Sequence, residues 1–276
     1  MTLDPEQLGQ SKADLAETLR TLRKRAGLSQ VRLARRCNVS QSKISKIETA
    51  EITPNLVDVE LILQALGAPE QLMAEITALA RLANTEWQPI RSSWRRGLEK
   101  RQAELAGLES EAKELRYFLP AMITGLLATP EYIRASLHYS PGDTSKTVAR
   151  KLERQTVLYD TTKRFTFLLT EQAARWAVIP PPAMAMQIDR LASLSHLPNV
   201  RIGLIPIGTV INRGPMNTFT VYDDRLATVE TFTGRTVFRD ARDIAEHLDV
   251  FTQYEQEARF GDAARALLEE WASTLR

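Results

Sequence analysis

The sequence predicts a mainly α-helical protein with a five-helix N-terminal domain and a C-terminal α+β domain. Apolar residues recur at helical spacing as far as Ala83, and turn-forming residues interrupt them. Runs rich in β-forming residues begin only beyond Tyr117, bounded by Pro, Gly and Asp. The chain has 276 residues, enough for two domains. We therefore expect an N-terminal domain over 1–83, a linker and connecting helix over 84–116, and a second domain over 117–276.

The first five helices are predicted from their start and stop signals. Ala13–Ala26 is amphipathic, and Gly27 ends it behind three basic residues. Ser29 and Ser40 are short polar residues that cap helix N-termini, so the second and third helices begin there. The fourth and fifth helices begin at the Thr53-Pro54-Asn55 turn and at Pro69, with Gly67 as the stop between them.

The next segment, Asn84–Gly97, loses helical periodicity, and we expect it to be the interdomain link. A charged helix is predicted to follow, with leucines and one alanine at heptad-like intervals: Leu98, Leu105, Leu108, Ala112 and Leu115. Two to three repeats are compatible with a short dimer seam or with packing on the helix's own domain.

The second half alternates helical and β-rich segments. Helical spacing is found in four segments: Pro130–Leu137, Ser145–Leu158, Met184–Leu194 and Ile244–Leu275. Strands are predicted in four others: Arg164–Leu169, Val200–Pro206, Phe219–Tyr222 and Leu226–Phe232. This alternation predicts the α+β class.

The stretch from Ser29 to Thr49, SQVRLARRCNVSQSKISKIET, satisfies a geometric pattern as well as a hydrophobic one. Ala34 is small where two helices must cross closely. Asn38 stands at the tight turn, where a left-handed backbone is required and Asn is the best substitute for Gly. The apolar positions are Leu33, Cys37, Val39, Ile44 and Ile47. Together these positions predict a helix-turn-helix that binds DNA.

The charge distribution points to the same partner. Between Lys12 and Glu48 the chain has ten Lys and Arg residues against three Asp and Glu, although its net charge is only +2. Such asymmetry indicates a polyanion partner at one end of a protein. The alternative is a solvated helical face, which is what most charge runs form.

These residues resemble the phage-repressor and Cro type of five-helix domain, the XRE family. The resemblance covers about Ala13–Ala68, and three groups of residues carry it: Ser29-Gln30 with Leu33-Ala34, Val39-Ser40-Gln41-Ser42, and Ile44-Ser45-Lys46-Ile47-Glu48. In this type of domain the second helix of the motif enters the major groove while the first crosses the backbone. The resemblance therefore implies that the protein binds double-stranded DNA, and we expect it to bind as a homodimer.

The start of the recognition helix would then face base edges, and its outward residues are Gln41, Ser42, Ser45 and Lys46. Gln pairs bidentately with adenine, and Lys donates to guanine. The resemblance assigns a phosphate contact to Gln30. Further phosphate contacts are expected from Ser40, Arg32, Arg36 and Lys43. The resemblance also implies an ion pair between Arg23 and Glu48 that fixes the tilt of the reading helix; the alternative is two unrelated surface charges.

The C-terminal half resembles the C-terminal domain of actinobacterial regulators described as antitoxin-like. Phrases between Leu108 and Gly234 carry this resemblance: LESEAKELRYFLPAMITGLLATPEYIRA, ARKLERQTVLYD and NTFTVYDDRLATVETFTG among them. The chain departs from the family pattern at Thr124 and Ala128, where Pro and Gln are more usual. The resemblance implies a regulator whose C-terminal domain answers to a partner, often a small protein encoded nearby.

From the residues themselves, candidate partner or ligand positions are Glu153, Arg154, Gln155 and Glu230. A structural hydrogen-bond network is the alternative for them. Three functions follow: a DNA-binding transcriptional regulator, an antitoxin-like module that binds a small protein, and a repressor that senses a small molecule.

The sequence indicates neither an enzyme nor a metal or cofactor site. His138, His196 and His247 are widely separated, and Cys37 belongs to the apolar pattern of the helix-turn-helix. No Gly-x-Ser-x-Gly elbow or phosphate-binding glycine loop occurs. No apolar run approaches the ~20 residues of a membrane span. With one cysteine and no basic-apolar leader in MTLDPEQLGQ, we expect a cytoplasmic protein.

Overall fold

The computed structural model describes residues 7–91, 94 and 98–276. Its contacts divide the chain into two compact units. The first unit comprises Met1–Gln88 together with Thr236–Ile244, and the second comprises Pro89–Arg235 together with Ala245–Arg276. The short segment Thr236–Ile244 lies within the predicted second domain, yet it belongs to the first unit.

Five helices form most of the first unit: α1 (Gln7–Arg25), α2 (Gln30–Arg36), α3 (Gln41–Glu48), α4 (Leu56–Ala65) and α5 (Glu70–Asn84). The predicted caps are confirmed. The side chain of Ser29 accepts a hydrogen bond from the Arg32 amide, and that of Ser40 accepts one from the Lys43 amide. Both hydroxyls satisfy backbone donors that have no partner within their helix.

The turn between α2 and α3 confirms the prediction for Asn38, whose φ is 53°. At this position the chain must adopt the left-handed region, which Asn tolerates better than other side chains with a Cβ. The apolar residues of the pattern are buried in one cluster with the neighbouring helices, except Val39, which is partly buried against it. The two helices of the motif are therefore held at a fixed angle by a common core.

The segment that follows α5 differs from the prediction. Thr85–Pro89 forms strand β1, where an aperiodic link was expected. Residues 92–93 and 95–97 of the predicted link lie outside the described residues. The connecting helix, α6, runs from Leu98 to Glu111. Leu115, predicted on this helix, lies instead in strand β2 (Glu114–Leu119).

Helix α6 ends before Leu115 because a side chain that is distant in sequence accepts hydrogen bonds from the backbone after the helix. The carboxylate of Asp223 accepts hydrogen bonds from the amides of Lys113 and Glu114, at 2.9 and 2.8 Å. Beyond this point Leu115 and Tyr117 are buried while Arg116 between them is not, a period of two that a strand requires. The leucine spacing alone did not reveal this change of period.

The second unit contains a mixed sheet with helices, which confirms the α+β class. Its remaining elements are α7 (Pro130–Ser136), α8 (Ser145–Arg154), a 3₁₀ turn (Gln155–Tyr159), β3 (Arg164–Thr170), α9 (Glu171–Arg175), α10 (Pro181–Leu194), β4 (Val200–Ile205), β5 (Thr218–Tyr222), β6 (Leu226–Glu230), β7 (Gly234–Phe238), α11 (Ala241–Glu257) and α12 (Gly261–Ser273). The bounds of β7 and α11 straddle the division between the two units.

Strands β2, β3 and β4 are parallel; β5 pairs with β2 in antiparallel register, and β6 pairs with β5 in the same way. In the sheet these five strands follow the order β6-β5-β2-β3-β4. The sequence analysis missed β1, β2 and β7. No helix of the described chain is both long enough and apolar enough to span a membrane.

Candidate nucleic-acid interface

The recognition helix α3 separates its side chains into a buried face and an outward face. Ile44, Ile47 and Glu48 are buried. Of the four predicted base-reading residues, Gln41, Ser42 and Lys46 are exposed and Ser45 is half-buried. These four residues, the reading face, therefore leave polar and cationic groups in solvent at the start of the helix.

A hydrogen bond joins the first residue of the recognition helix to the first residue of the preceding helix. The Nε2 of Gln41 donates to the Oε1 of Gln30 at 2.8 Å. An amide side chain has two donor hydrogens and one acceptor oxygen. Gln41 thus keeps one N–H and its carbonyl oxygen for a ligand, which are the two groups needed to bind adenine bidentately.

Gln30 is itself held from behind by a buried ion pair. Its Nε2 donates to the Oε2 of Glu48 at 2.9 Å. The Nε and Nη2 of Arg23 donate to the two oxygens of the same carboxylate at 2.5 and 2.8 Å, and the Arg23 Nη1 donates to the Leu28 carbonyl at 2.7 Å. The ion pair implied by the resemblance is present, and it is buried, with Arg23 only 9% and Glu48 only 7% exposed.

The ionisation of this pair follows from its contacts. Burial alone would raise the pKa of Glu48, but hydrogen bonds from Arg23 and Gln30 and the charge of Arg23 outweigh it, so the pKa is lowered. The hydrogen bond to Glu48 raises the pKa of Arg23. Both groups are therefore charged at neutral pH. A continuous set of contacts leads from this pair through Gln30 to Gln41, and we call it the Arg23–Gln41 relay.

Some of the lysines and arginines that are predicted to contact DNA have partners within the chain. The Nζ of Lys43 lies 2.7 Å from Asp58, and the Nζ of Lys46 lies 3.2 Å from Glu51. Arg36 donates to the Ala65 carbonyl at 3.1 Å, whereas Arg32 is exposed on α2. The Ser40 hydroxyl oxygen accepts from the helix, which leaves its O–H free to donate.

The four candidate partner residues of the second unit do not converge on one site. Glu153 is exposed and pairs with Arg150 at 2.6 Å. Arg154 is engaged by Glu109 and Gln102 of α6. Gln155 donates to the carbonyls of Gly125 and Ala128 and accepts from Arg190. Glu230 pairs with Arg101 at 2.6 Å. Except for Glu153, these residues take part in a structural network.

Sequence reasoning missed the α6 side of this network. Gln102 and Glu109 are seven residues apart, two helical turns, and therefore lie on the same face of α6. Both are buried, and Glu109 also accepts a hydrogen bond from the Tyr117 hydroxyl at 3.3 Å. The spacing of these two polar residues could have indicated a polar contact on one face of α6, but the prediction considered only the apolar positions of the helix.

Lys151 is the least compensated cation near this network. Burial lowers its pKa from 10.5 to about 8, and the positive charges of Arg154 and Arg101 act in the same direction. Glu230 opposes this shift, but its carboxylate is already paired with Arg101. Within the described residues, no cluster of three His, Cys, Asp or Glu side chains could hold a metal ion.

Comparison with protein families gives two matches. A model described as a helix-turn-helix domain matches residues 14–76. A model described as a domain of unknown function, DUF5753, matches residues 102–270. A comparison with curated proteins gives no match.

Three solved structures show distant similarity. Nuc, a phospholipase D family member from Salmonella typhimurium, is 7% identical and aligns over 58% of this chain and 90% of its own, with a TM-score of 0.34. NucT from Helicobacter pylori is 10% identical over 63% and 96%, with a TM-score of 0.35. TrmBL2, an archaeal chromatin protein, is 12% identical over 69% and 60%, with a TM-score of 0.31. At these TM-scores none of the three supports a functional argument.

Proposed function

Because the chain belongs to the DUF5753 family and carries a helix-turn-helix domain, we propose that it is a sequence-specific transcriptional regulator of the XRE type. In this proposal α3 enters the major groove of duplex DNA and α2 lies across the backbone. The observation that carries it is the reading face, whose polar residues are exposed or half-buried while Ile44, Ile47 and Glu48 of the same helix are buried.

The relay gives Gln41 a defined orientation before DNA arrives. A Gln side chain loses rotamer freedom when it binds, and a contact that already restricts it lowers that cost. The side-chain oxygen of Gln30 accepts from Gln41. One N–H of the Gln30 amide donates to Glu48, and the other can donate to a phosphate. Gln41 is therefore the base-reading residue of the pair, and Gln30 is the backbone contact.

The cations around the reading face supply affinity without sequence preference. In this proposal the phosphate donors are Arg32 and Arg36 on α2, Lys43 on α3 and the Ser40 hydroxyl, and Lys46 donates to a base. Lys43 and Lys46 must exchange Asp58 and Glu51 for DNA groups. Both pairs are partly exposed, and such pairs contribute only about 0–1 kcal/mol, so this exchange costs little.

Further features of the proposal come from the mode of binding. A helix-turn-helix protein commonly binds two half-sites about one helical turn apart, so we expect a homodimer on DNA. We also expect a cytoplasmic protein that acts by binding and not as an enzyme, since the residues with assigned roles are DNA contacts and structural ion pairs.

A protein partner of the second unit is the second candidate function. The segment between β4 and β5 exposes Ile207, Val210 and Met216 by 74%, 84% and 85%. Apolar side chains concentrated on one short segment are typical of a surface that another protein covers. An antitoxin-like module that binds a small protein encoded nearby fits this observation; a repressor that senses a small molecule is the other alternative. Pull-down with the products of adjacent genes and thermal shift with metabolites would separate them.

Selection of duplex DNA from a random-sequence library by the full chain tests the proposed function. We expect one enriched sequence arranged as two half-sites, and an affinity that falls with salt by about 0.9 in log–log slope for each phosphate neutralised. If the selected pool shows no sequence preference at physiological salt, specific regulation is contradicted. If the pool is enriched but Gln41→Ala selects the same sequence, the reading face is wrong.

A further inference from the structure

A segment from the far end of the sequence completes the helix-turn-helix unit. Thr236–Ile244 belongs to that unit although about 150 residues separate it from α5. Asp240 at its centre is 1% exposed, and Ile244 is 2% exposed. A buried carboxylate is costly unless its oxygens are satisfied, so the contacts of Asp240 indicate what this segment does.

The Asp240 carboxylate caps two helices at once. Its Oδ2 accepts a hydrogen bond from the amide of Leu56, the first residue of α4, at 3.3 Å. Its Oδ1 accepts one from the amide of Arg242, in the first turn of α11, at 2.9 Å. The first amides of a helix have no partner within it, and a negative charge near them is favourable. One buried carboxylate thus serves the N-termini of two helices, and the residue that bears it is 184 residues from Leu56.

Ion pairs and backbone contacts hold the same segment against α4 and α5. Arg242 pairs with Glu60 of α4 at 2.5 Å, and Arg239 pairs with Glu86 at 3.0 Å. The Arg239 amide donates to the Asn84 carbonyl at 3.2 Å. The buried Asn84 side chain in turn donates to the Pro54 carbonyl, directly before α4, at 2.8 Å.

Helix α4 is also the support of the recognition helix. Leu56, Val59 and Ile62 of α4 share one core cluster with Ile44 and Ile47 of α3. Asp58, two residues from the capped Leu56, pairs with Lys43 of α3 at 2.7 Å. A displacement of the start of α4 would therefore reach α3 through the shared core and, before DNA is bound, through this ion pair as well.

We propose that Asp240 is a positioning residue for the reading face. By tying the start of α4 to Thr236–Ile244, it holds α4 and with it α3 in place, and the affinity for DNA depends on it although it contacts no DNA. This inference rests on the proposed DNA-binding function. It adds that the segment Thr236–Ile244, which comprises the end of β7 and the start of α11, is a required part of the DNA-binding unit.

A positioning role and a merely structural role of Asp240 predict different results. If the role is merely structural, losing the cap lowers the free energy of unfolding, but the protein that remains folded binds DNA with unchanged affinity. If Asp240 positions α3, the folded variant also binds DNA more weakly. Asn55 provides the matched control, because its side chain caps the same helix by accepting from the Asp58 amide. That residue is local and exposed, and it does not tie Thr236–Ile244 to α4.

The test uses the full chain with Asp240→Ala, Asp240→Asn and Asn55→Ala, at a temperature where circular dichroism shows every variant folded. The ligands are the duplex that the wild type selects from a random library and a scrambled duplex of equal length. We expect Asp240→Ala to weaken binding to the selected duplex about tenfold, which corresponds to about 1.4 kcal/mol of binding free energy. Asp240→Asn should recover part of this loss, since it keeps one acceptor, and Asn55→Ala should bind within about twofold of wild type.

Amide hydrogen exchange separates failure of this inference from failure of the proposed function. In Asp240→Ala we expect faster exchange at Leu56 and through α3, whereas Asn55→Ala should leave α3 unchanged. Wild-type affinity in folded Asp240→Ala with unchanged exchange in α3 would overturn the positioning role. If the wild type selects no duplex, the proposed function fails, and the exchange in α3 alone then decides whether Asp240 positions that helix. If Asp240→Ala does not fold, Asp240→Asn carries both measurements.

Discussion

The two units each contain a buried Arg–Glu pair of the same chemistry, and they use it differently. Arg23 binds both oxygens of Glu48, and Arg154 binds both oxygens of Glu109. In the first unit the contacts continue outward, through Gln30 to the exposed Gln41. In the second they continue to two buried residues, Gln102 and Tyr117. A buried ion pair can therefore support a binding surface or fix a core, and its further contacts tell which.

The largest effect on stability is expected from breaking the Arg154–Glu109 pair of the second unit. Glu109→Ala leaves the Arg154 guanidinium buried without its carboxylate, and breaking a buried pair in this way costs about 3–5 kcal/mol. Urea denaturation followed by tryptophan fluorescence, to which the buried Trp271 of the second unit contributes, measures this loss. Glu153→Ala, which removes an exposed carboxylate one residue from Arg154, is the control and should cost less than 1 kcal/mol. Equal midpoints for both variants would contradict the structural role of the pair.

Breaking the Arg23–Glu48 pair of the first unit should affect both stability and DNA recognition. Arg23→Met keeps much of the side-chain volume but removes the hydrogen bonds to Glu48, for an expected cost of about 2–3 kcal/mol. Because folding lowers the pKa of Glu48, its stabilisation is complete above the ordinary value of 4.5 and is lost as the pH falls through the lowered pKa. The difference between wild type and variant should therefore shrink in acid, measured by urea midpoints at pH 7 and pH 3.

Arg23→Met should also reduce discrimination between bases at the position that Gln41 reads, because Gln30 loses part of its support. Glu109→Ala, measured where it is still folded, should leave that discrimination unchanged. The comparison between the two pairs fails if both variants alter base preference alike, or if neither does.

Removing the charge of Lys151 should stabilise the second unit. The pKa of Lys151 falls from 10.5 to about 8 on folding, so a charged Lys151 costs stability below pH 8 and the cost is relieved as the pH rises toward 10.5. Lys151→Met should therefore raise the free energy of unfolding at pH 7 by about 2 kcal/mol, less than the full shift implies, because the side chain is only partly buried. The variant should also lose the rise in stability between pH 8 and pH 10 that urea midpoints show for wild type. A variant less stable than wild type at pH 7 would contradict this interpretation.

The smallest effect is expected at the edge of the reading face. Glu51→Gln removes the carboxylate that pairs with Lys46, which should strengthen DNA binding by about 0.5 kcal/mol at low salt. Added salt should reduce the gain, since the pair is exposed. Fluorescence anisotropy with labelled duplex at two salt concentrations measures it. Weaker binding by Glu51→Gln would show that the pair orients Lys46 instead of competing with DNA.

The sequence predicted features whose causes are local. Ser29 and Ser40 cap helices within three residues of themselves, and the left-handed backbone at Asn38 is a property of that turn. The reading face follows from the same short pattern. These features could be derived because the physical reason and the residue lie side by side in the chain.

The features that were missed depend on residues distant in sequence. Asp223 ends α6 and places Leu115 in a strand, although it lies about 110 residues later. Glu109 meets Arg154 across 45 residues, so the sequence left a partner site and a structural network open for Arg154 and could not name its internal partner. Asp240 meets Leu56 across 184 residues. Spacing within a single sequence contains no information on such pairings until the fold is known.

The most direct test of the central claim is a base-by-base affinity profile of Gln41→Ala beside Gln30→Ala. Each position of the selected duplex is substituted in turn, and the affinity of both variants is measured at one salt concentration. Gln41→Ala should lose about 1–3 kcal/mol of discrimination at one position of each half-site, while Gln30→Ala should weaken all duplexes alike. A Gln41→Ala profile with the same preferences as wild type would contradict the assignment of the reading face.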